Sequence, residues 1–358
     1  MAKPNYYGLI LAGGRGTRFW PRSRKRHAKQ VLNVAGDETL IQGTVSRLAP
    51  LIPPERIWIL TNDYVRDEIV RQLPHVPQAQ IIAEPAQRNT AAPIGLAAHI
   101  LHSIDPNAVF GVFPSDHVIG NPRKYVSLLR PAFKAAEKGA IGVLGIQPRW
   151  PETGYGYIEF PKGTAPEAAA IPVKAFREKP ELGQAKRFVK SGNFYWNAGM
   201  FFWRAETVLN ALRRHLPKTA TLLSSLPAFN DREFASKLVE VFPLCENISI
   251  DYAVLEHADN VVGVPCADFG WNDVGSWDAV YELLPRDKDG NVCRSELLST
   301  DSHGNYVDCG RKLVALLDVD DLIVVDTPDA LLITRRGRGQ KVGDVVKALE
   351  KLGHEDLL

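Results

Sequence analysis

A short apolar run near the start of the chain ends at three closely spaced glycines. Residues 9–12 (Leu-Ile-Leu-Ala) have the length and character of a buried strand. Gly13, Gly14 and Gly16 follow, and glycine adopts backbone angles closed to other residues and lets a ligand approach the chain closely. Successive backbone N–H groups in such a turn form a concavity that binds anions. The sequence therefore predicts an anion-binding loop at the C-terminal edge of a sheet, where open α/β folds bind ligands.

Cationic side chains are concentrated directly after these glycines. They are Arg15, Arg18, Arg22, Arg24, Lys25, Arg26 and Lys29. A glycine loop beside such a cluster indicates a polyphosphate ligand, and the cations stand where a small anionic substrate would need them. The alternative is a surface loop with solvated arginines, which the preceding strand disfavours. Because the formal net charge of the whole chain is only +2, the cluster is a local feature and does not indicate nucleic-acid binding.

Two common phosphate-binding loops are excluded. A P-loop requires G-x-x-x-x-G-K-[ST], and the chain contains no Gly-Lys followed by a hydroxyl residue. The dinucleotide fingerprint G-x-G-x-x-G requires a third glycine where this chain has Phe19.

Strand-like and helix-like segments alternate over about the first 146 residues. The predicted strands are 8–12, 57–61, 80–83, 109–113 and 141–146. The predicted helices are 40–51, 65–73, 91–104 and 124–138. This alternation predicts an α/β fold with a mostly parallel sheet and helices on both of its faces.

The character of the sequence changes in the second half. Residues 154–203 show shorter strands and turns, and helices are predicted at 207–215 and 232–241. From about residue 287 short β-rich pieces follow, at 304–309, 313–317, 322–326 and 330–334. The last predicted element is an amphipathic helix over 341–353. We therefore predict an α/β domain over 1–285 and a small β-rich unit over 286–358. No low-complexity linker separates them, so we expect the two to pack together.

The cysteine pattern bears on the compartment. Cys245, Cys266, Cys293 and Cys309 form no C-x-x-C pair, which argues against structural zinc and against a disulfide framework. No signal peptide and no apolar run of the roughly 18 residues that span a bilayer is found. The sequence predicts a cytoplasmic protein without a membrane partner.

Two aspartates follow strand-like or turn-rich segments. Asp116 comes directly after the predicted strand 109–113, and Asp273 lies in the turn-rich segment 270–276. Mg²⁺ on a nucleotide uses one or two carboxylates together with phosphate oxygens and water. Either aspartate alone could equally cap a turn, but the pair favours a metal site.

Other candidates are weaker when taken singly. Lys179 precedes Pro180, which fixes a turn, although it could be an ordinary solvated lysine. Asn197 could cap a turn or bind a hydroxylated ligand. The segment 153–159 delivers the carboxylate of Glu159 from a glycine-opened strand.

Taken in order, these segments resemble the sugar-1-phosphate nucleotidylyltransferases over residues 6 to about 285. The most specific match is Leu-Ala-Gly-Gly-Arg-Gly-Thr-Arg-Phe-Trp-Pro (residues 11–21) with Lys29 downstream. Further segments are similar to the guanylyl branch of this family: 84–91, 114–117, 176–180 and 196–200. The resemblance implies a Rossmann-like domain and a C-terminal β-helix-like unit. The β-rich tail with Gln340, Lys341 and Val342 also resembles the guanylyl branch.

The resemblance implies roles for individual residues. The nucleotide would be held by Gly13, Gly14, Gly16, Thr17, Glu84, Arg88, Asn89 and Thr90, the last four on the base and ribose side. The implied catalytic residues are Arg18, Lys29, Asp116 and Lys179, with Arg18 and Lys29 on the β- and γ-phosphates. The sugar phosphate would be held by Gly154, Glu159, Lys179 and Asn197. Mg²⁺ would be held by Asp116 and Asp273.

The implied reaction is transfer of GMP from GTP to mannose 1-phosphate, giving GDP-mannose and pyrophosphate, in an enzyme that we expect to be a homodimer. The chain departs from the family in having Ala28 where proline usually precedes the lysine. Longer bacterial members continue into a cupin-like isomerase domain, for which we expect no room here. The alternatives are another sugar or base, a non-catalytic regulatory subunit that binds nucleotide sugar, and a phosphate-binding scaffold without transferase activity.

Overall fold

A mixed ten-stranded sheet lies at the centre of the computed structural model, which describes residues 5–167 and 169–358. The strands up to residue 272 are β1 Tyr6–Leu11, β2 Ile57–Thr61, β3 Ile81–Ala83, β4 Val109–Pro114, β5 Val118–Ile119, β6 Ile141–Ile146, β7 Tyr157–Glu159, β8 Ile171–Pro172, β9 Ala175–Arg177, β10 Phe194–Arg204, β11 Val261–Cys266 and β12 Trp271–Asn272. The helices are α1 Leu40–Leu48, α2 Asp63–Gln72, α3 Ala91–Ile104, α4 Pro122–Glu137, α5 Leu182–Ser191, α6 Ala205–His215, α7 Pro217–Ser224, α8 Phe234–Val241, α9 Trp277–Leu283 and α10 Val342–Leu352.

The order of the main sheet is β3-β2-β1-β4-β10-β6-β11-β8, with β7 pairing to β10 and β9. The first four strands of this order are parallel, as are β6 and β11. The long strand β10 runs antiparallel between β4 and β6. The predicted α/β class is confirmed, and β10 is an antiparallel insertion that the alternation of the first 146 residues did not indicate.

Alternate residues of each strand face opposite layers of helices. Leu9, Phe110 and Trp203 pack on the face covered by α3 and α6. Their neighbours Ile10 and Phe202 pack on the face covered by α4. This two-sided burial explains why the central strands are continuous apolar runs in the sequence. Because β1 and β4 are parallel neighbours, the loops that follow them meet at the same edge of the sheet.

Short parallel strands form the C-terminal unit. They are β13 Val292–Cys293, β14 Glu296–Thr300, β15 Tyr306–Asp308, β16 Leu313–Leu317, β17 Leu322–Asp326 and β18 Leu331–Arg335. β13, β15 and β17 stack in parallel, as do β14 and β16, and β18 closes the stack antiparallel to β17. This arrangement is the β-rich, β-helix-like unit that the sequence predicted.

A third buried cluster joins this unit to the α/β domain. Phe19 and Trp277 come from the α/β domain, and Tyr306 and Val346 come from the C-terminal unit. The Phe19 and Trp277 ring centroids are 5.1 Å apart, and those of Trp277 and Tyr306 are 5.6 Å apart. The two parts pack together, as expected, directly below the glycine loop. In the described residues we find no helix long and apolar enough to cross a membrane.

Candidate active site

A cavity of about 1330 Å³ opens between the α/β domain and the C-terminal unit. Its wall includes the end of β4, the segment 149–156, the middle of β10 and the segment 270–276. Asp321, Arg336 and Gln340 of the C-terminal unit complete it. The cavity thus lies at the C-terminal end of β4, the strand that Asp116 follows.

The glycine loop runs from β1 into a single 3₁₀ turn, Thr17–Phe19, so Thr17 begins that turn. Gly16 has φ +63°, and a Cβ there would collide with the Cβ of Lys29, so only glycine allows the loop to close over this lysine. Gly14 is exposed, and an added Cβ would have open space around it. A Cβ at Gly13 would lie 3.4 Å from Oε1 of Glu84, which brings that carboxyl against the loop.

Lys29 lies at the centre of the site. It starts the 3₁₀ turn Lys29–Val31 and is only 5% exposed. Its Nζ donates to Oδ2 of Asp116 at 2.8 Å and to the backbone oxygen of Asp273 at 2.8 Å. The ammonium also lies 5.3 Å from the centroid of the Phe19 ring. Lys29 therefore connects the loops that carry the two candidate metal ligands, and it does so with Ala28 before it.

The charge state of Asp116 follows from this contact. Burial tends to raise the pKa of Asp116, but the charge and hydrogen bond of Lys29, together with smaller contributions from His117 and the backbone, hold the pKa below its usual range. The neighbouring His117 behaves oppositely, because burial lowers its pKa to about 4. The neutral ring accepts a hydrogen bond at Nδ1 from Trp271 Nε1 at 3.2 Å. Asp116 is thus an ionised carboxylate beside a neutral, structurally engaged histidine.

Asp273 lines the cavity, and Lys29 joins its backbone to Asp116. Oδ1 of Asp273 accepts a hydrogen bond from the Tyr155 hydroxyl at 2.6 Å. Burial and then the Asp273 charge raise the pKa of Tyr155 well above its usual value, so the phenol stays a donor. Within residues 5–167 and 169–358 no group of three or more His, Cys, Asp or Glu side chains could hold a metal. The protein therefore offers two carboxylates, which suits Mg²⁺ bound together with phosphate oxygens.

A pair of carboxylates occupies another part of the cavity wall, and the sequence did not single them out. Asp251 starts a π-helical turn, and Glu178 follows β9. Burial, and then the Glu178 charge, raise the pKa of Asp251 to about 7. The Oε2 atom of Glu178 is buried with no hydrogen-bond partner among the described residues. Both residues line the cavity.

Asn197 and Lys179 border this pair. β10 changes register between Asn197 and Phe201, and Gly199 in this bulge has φ +66°. Asn197 Nδ2 donates to Oδ1 of Asp251 at 3.0 Å, and Asn197 Oδ1 accepts from the Gly199 N–H at 3.1 Å. Lys179 Nζ lies 2.7 Å from Oε1 of Glu178, and the Lys179 side chain is 55% exposed. Burial tends to lower the pKa of Lys179, but its bond to Glu178 raises it overall, so the lysine is charged.

The two predicted sugar-side residues of segment 153–159 separate in the structure. Gly154 lines the cavity, and its N–H donates to Oε1 of Glu152 at 2.9 Å. Glu159 ends β7 and does not line the cavity; its Oε1 accepts from Asn193 Nδ2 at 3.4 Å. Glu178, unlike Glu159, lines the cavity. The sequence signal that could have indicated Glu178 is its position inside the segment 176–180, in which only Lys179 was named as a candidate.

The predicted base side is also divided. Burial raises the pKa of Glu84 to about 8, beside the glycine loop. Arg88 instead donates to the backbone oxygen of Pro243, from Nε at 3.0 Å. Thr90 Oγ1 accepts from the Ile250 N–H at 2.9 Å at the start of α3, and Asn89 is exposed with φ +51°. Arg88 and Thr90 therefore hold the 243–250 segment, which leads into Asp251, whereas Glu84 lies against the glycine loop and Asn89 is exposed.

Most of the paired cations after the glycine loop contact the C-terminal unit. Arg15 pairs with Glu350 at 2.8 Å and Arg24 with Asp329 at 2.9 Å, and Arg22 and Lys25 pair with Asp308 and Glu355. The expectation that this cluster as a whole faces a substrate is therefore wrong for these four residues. Arg18 is different, because it lines the cavity and donates from Nη1 to Oε1 of Gln340 at 2.6 Å.

Comparison with known proteins places this geometry in a family. The family model described as nucleotidyl transferase matches residues 7–290, and that described as a MannoseP isomerase/GMP-like β-helix domain matches residues 295–349. The alginate biosynthesis protein AlgA of Pseudomonas aeruginosa is 37% identical over 353 residues, which cover 97% of this chain and 73% of AlgA. A mannose-1-phosphate guanylyltransferase of Escherichia coli K12 is 37% identical over 365 residues, covering 99% and 76% of the two chains.

A solved structure agrees with these relatives. A crystal structure described as a mannose-1-phosphate geranyltransferase from Thermus thermophilus superposes with a TM-score of 0.85 at 34% identity, covering 97% of this chain and 100% of that one. The resemblance inferred from the sequence is thereby confirmed across both parts of the molecule. This chain belongs to the mannose-1-phosphate guanylyltransferase family of nucleotidyl transferases.

Proposed function

We propose that this chain transfers GMP from GTP to α-D-mannose 1-phosphate and releases pyrophosphate and GDP-mannose. The observation that carries the proposal is the contact of Lys29 with Asp116 and with the backbone of Asp273, which lines the cavity. A buried cation between two carboxylate-bearing loops, beside a glycine loop, suits a polyphosphate. The Glu178 and Asp251 carboxylates on the same wall suit a sugar.

In the proposed reaction an oxygen of the mannose 1-phosphate attacks the α-phosphorus of GTP in line. A new O–P bond forms at this phosphorus, and its bond to the bridging oxygen of pyrophosphate breaks. The nucleophile is already an anion, so no general base is required. The main obstacle is repulsion between two polyanions, and Arg18 and Lys29 reduce it by placing positive charge beside the phosphates.

Mg²⁺ is the cofactor that we propose for this reaction. Asp116 and Asp273 would hold it, since Lys29 joins the loops that carry them, Asp116 is ionised, and Asp273 lines the cavity. The chemistry that a bound Mg²⁺ supplies here is neutralisation of charge on phosphate oxygens. Lys29 keeps Asp116 ionised and so keeps it competent as a ligand.

The sugar would lie against Glu178, Asp251 and Asn197. Carboxylate and amide oxygens accept hydrogen bonds from vicinal hydroxyl groups, and the unpartnered Oε2 of Glu178 provides a buried acceptor. Lys179, charged and half exposed beside Glu178, is placed to contact the phosphate of the sugar. Glu159, whose Oε1 accepts from Asn193 Nδ2, is not part of this proposal.

The base would lie against Glu84. Guanine presents an N1–H and a 2-amino group side by side, and a carboxylate can accept from both. Adenine, with an acceptor at N1, cannot make this pair of contacts. Sites with dedicated polar partners reject analogues that leave those partners unpaired, whereas size alone discriminates weakly.

The test is a matrix of substrates. Purified protein is incubated with MgCl₂ and each pairing of GTP, ATP, UTP or dTTP with mannose or glucose 1-phosphate, and pyrophosphate release is measured. We expect GTP with mannose 1-phosphate to have the highest kcat/KM, at least about tenfold above UTP, with some glucose 1-phosphate activity. Equal efficiency with UTP would contradict the guanine assignment. Binding of GDP-mannose without pyrophosphate release in any pairing would favour a regulatory subunit.

We also propose that the protein acts as a cytoplasmic homodimer. The compartment is supported by its four free cysteines, which fit a reducing environment. The dimer is supported by an exposed apolar face of the C-terminal unit, where Leu298, Leu313 and Leu317 are 60%, 60% and 71% exposed. These side chains share one face because β14 and β16 pair in register, and such patches mark interaction sites.

A further inference from the structure

Arg18 differs from its paired neighbours in the chemistry of its partner. Arg15, Arg22, Arg24 and Lys25 each pair with a carboxylate of the C-terminal unit. Arg18 donates instead to the amide oxygen of a glutamine of the same unit. An amide oxygen accepts a hydrogen bond without neutralising the guanidinium, whereas a carboxylate forms an ion pair with it. Of these five cations, Arg18 is the one that lines the cavity.

Gln340 is held firmly by its surroundings. It lies in the 3₁₀ turn Gly339–Lys341, directly before α10. The Asp278 carboxylate of α9 accepts hydrogen bonds from the backbone N–H groups of Gly337 and Gly339, the latter at 2.9 Å. A Cβ at Gly339 would collide with Asp278, so the turn sits in close contact with α9. The amide of Gln340 therefore starts from a fixed backbone position at the cavity wall.

Helix α10 also packs against the turn that carries Arg18. A Cβ at Gly343 would lie 3.7 Å from Oγ1 of Thr17 and 3.8 Å from Cγ of Arg18. Both distances are ordinary van der Waals contacts, so the start of α10 lies beside the stem of Arg18, while Gln340 binds its head. The C-terminal unit thus contacts Arg18 at both ends of the side chain.

We propose that Gln340 is a positioning residue that orients Arg18 towards the departing pyrophosphate and leaves the positive charge of Arg18 uncompensated. The inference rests on the proposed function for the identity of the anion. The C-terminal unit would then have a part in the reaction centre. Its carboxylates neutralise the four cations outside the cavity, whereas its Gln340 preserves the positive charge of Arg18 inside it.

The experiment is a double-mutant cycle on the binding of inorganic pyrophosphate in the presence of MgCl₂, measured by calorimetry. Gln340→Glu replaces the amide by a carboxylate of equal shape, and we expect it to weaken pyrophosphate binding at least about tenfold. In an Arg18→Met background the same change should weaken binding by less than about threefold, because its target is gone. Gln340→Leu should weaken binding less than Gln340→Glu, and its effect should also vanish in Arg18→Met.

Asp329→Asn is the matched control, since it breaks the Arg24 ion pair of the same interface outside the cavity. It should leave pyrophosphate affinity unchanged. In turnover, Gln340→Glu should lower kcat/KM for GTP while the KM for mannose 1-phosphate stays unchanged, which a general loss of structure would not produce.

Several outcomes would overturn the inference. One is equal weakening by Gln340→Glu with and without Arg18, which would indicate general repulsion. Others are no weakening at all by Gln340→Glu, or no pyrophosphate binding by the wild type. If Gln340→Glu does not fold, Gln340→Leu decides by the same cycle. The proposed function fails separately, when the wild type binds pyrophosphate but releases none from any pair of substrates.

Discussion

Lys29 is the residue on which the geometry of the site depends most directly. Its ammonium is buried, 2.8 Å from Oδ2 of Asp116 and 2.8 Å from the backbone oxygen of Asp273. We expect Lys29→Met to lower kcat at least about a hundredfold, the scale of losing one preorganised group that stabilises transition-state charge. The measurement is steady-state turnover of GTP and mannose 1-phosphate.

A control for this variant lies in the same loop. Lys25 is a cation that pairs with Glu355 away from the cavity, so Lys25→Met should change kcat by less than about twofold. Circular dichroism must show both variants folded. Near-normal turnover in folded Lys29→Met would remove Lys29 from the reaction centre.

We expect Glu84 to make GTP binding depend on pH. Burial raises its pKa to about 8, so the carboxyl is mostly protonated at neutral pH in the free protein. Guanine donors require the ionised form, and binding therefore releases a proton. The KM for GTP should fall as the pH rises through about 8 and then level off.

The variant Glu84→Gln separates this effect from other titrations. Glutamine cannot ionise, so the KM for GTP should be higher and independent of pH over the same interval. Its preference for GTP over ATP should also shrink. A wild-type KM that does not change through this interval would show that the carboxyl does not contact the base.

At the scale of elements, local patterns determined what could be predicted. The predicted ranges 57–61, 91–104 and 141–146 coincide with β2, α3 and β6, because strong apolar periodicity is bounded there by turn residues. The antiparallel course of β10 was not predicted, since it depends on pairing with β4 and β6, which are distant in sequence. Asp251 was missed because it lies in a π-helical turn that has no local signature, and Glu178, which follows β9, was missed although it lies inside the segment 176–180.

The bulge of β10 provides a prediction at this scale. Gly199 has φ +66°, so Gly199→Ala should cost roughly 1–2 kcal/mol of stability through backbone strain. Since the Gly199 N–H binds Oδ1 of Asn197, relaxation of the bulge should also raise the KM for mannose 1-phosphate.

Gly192→Ala is the matched variant for the bulge. Gly192 has φ +74° at the end of α5, with nothing within 4 Å of an added Cβ. Thermal unfolding should show a similar loss of stability in both variants, with the change in KM confined to Gly199→Ala. An unchanged KM in Gly199→Ala would separate the bulge from sugar binding.

For the molecule as a whole, the sequence predicted two packed parts without showing how they are joined. Arg15 and Glu350 are separated by 335 positions, and Arg18 and Gln340 by 322. The local sequence of a cationic cluster suggests a single anionic ligand. It gives no sign that carboxylates from the other end of the chain pack against the same cations. Only the folded structure distinguishes the cations that form ion pairs between the two parts from those that face the cavity.

The last prediction concerns the oligomeric state. The face of β14 and β16 presents Leu298, Leu313 and Leu317 to solvent, and a buried apolar face of this kind would stabilise a dimer. Leu317→Glu should convert the protein from dimer to monomer in light scattering coupled to size-exclusion chromatography, because burial of an unpaired charge at an interface is costly. Leu352→Glu is the control: Leu352 ends α10 and is 72% exposed, close to the 71% of Leu317, but lies outside this face. The control should remain a dimer. A wild-type monomer, or a dimer that survives Leu317→Glu, would show that this face does not hold two copies together.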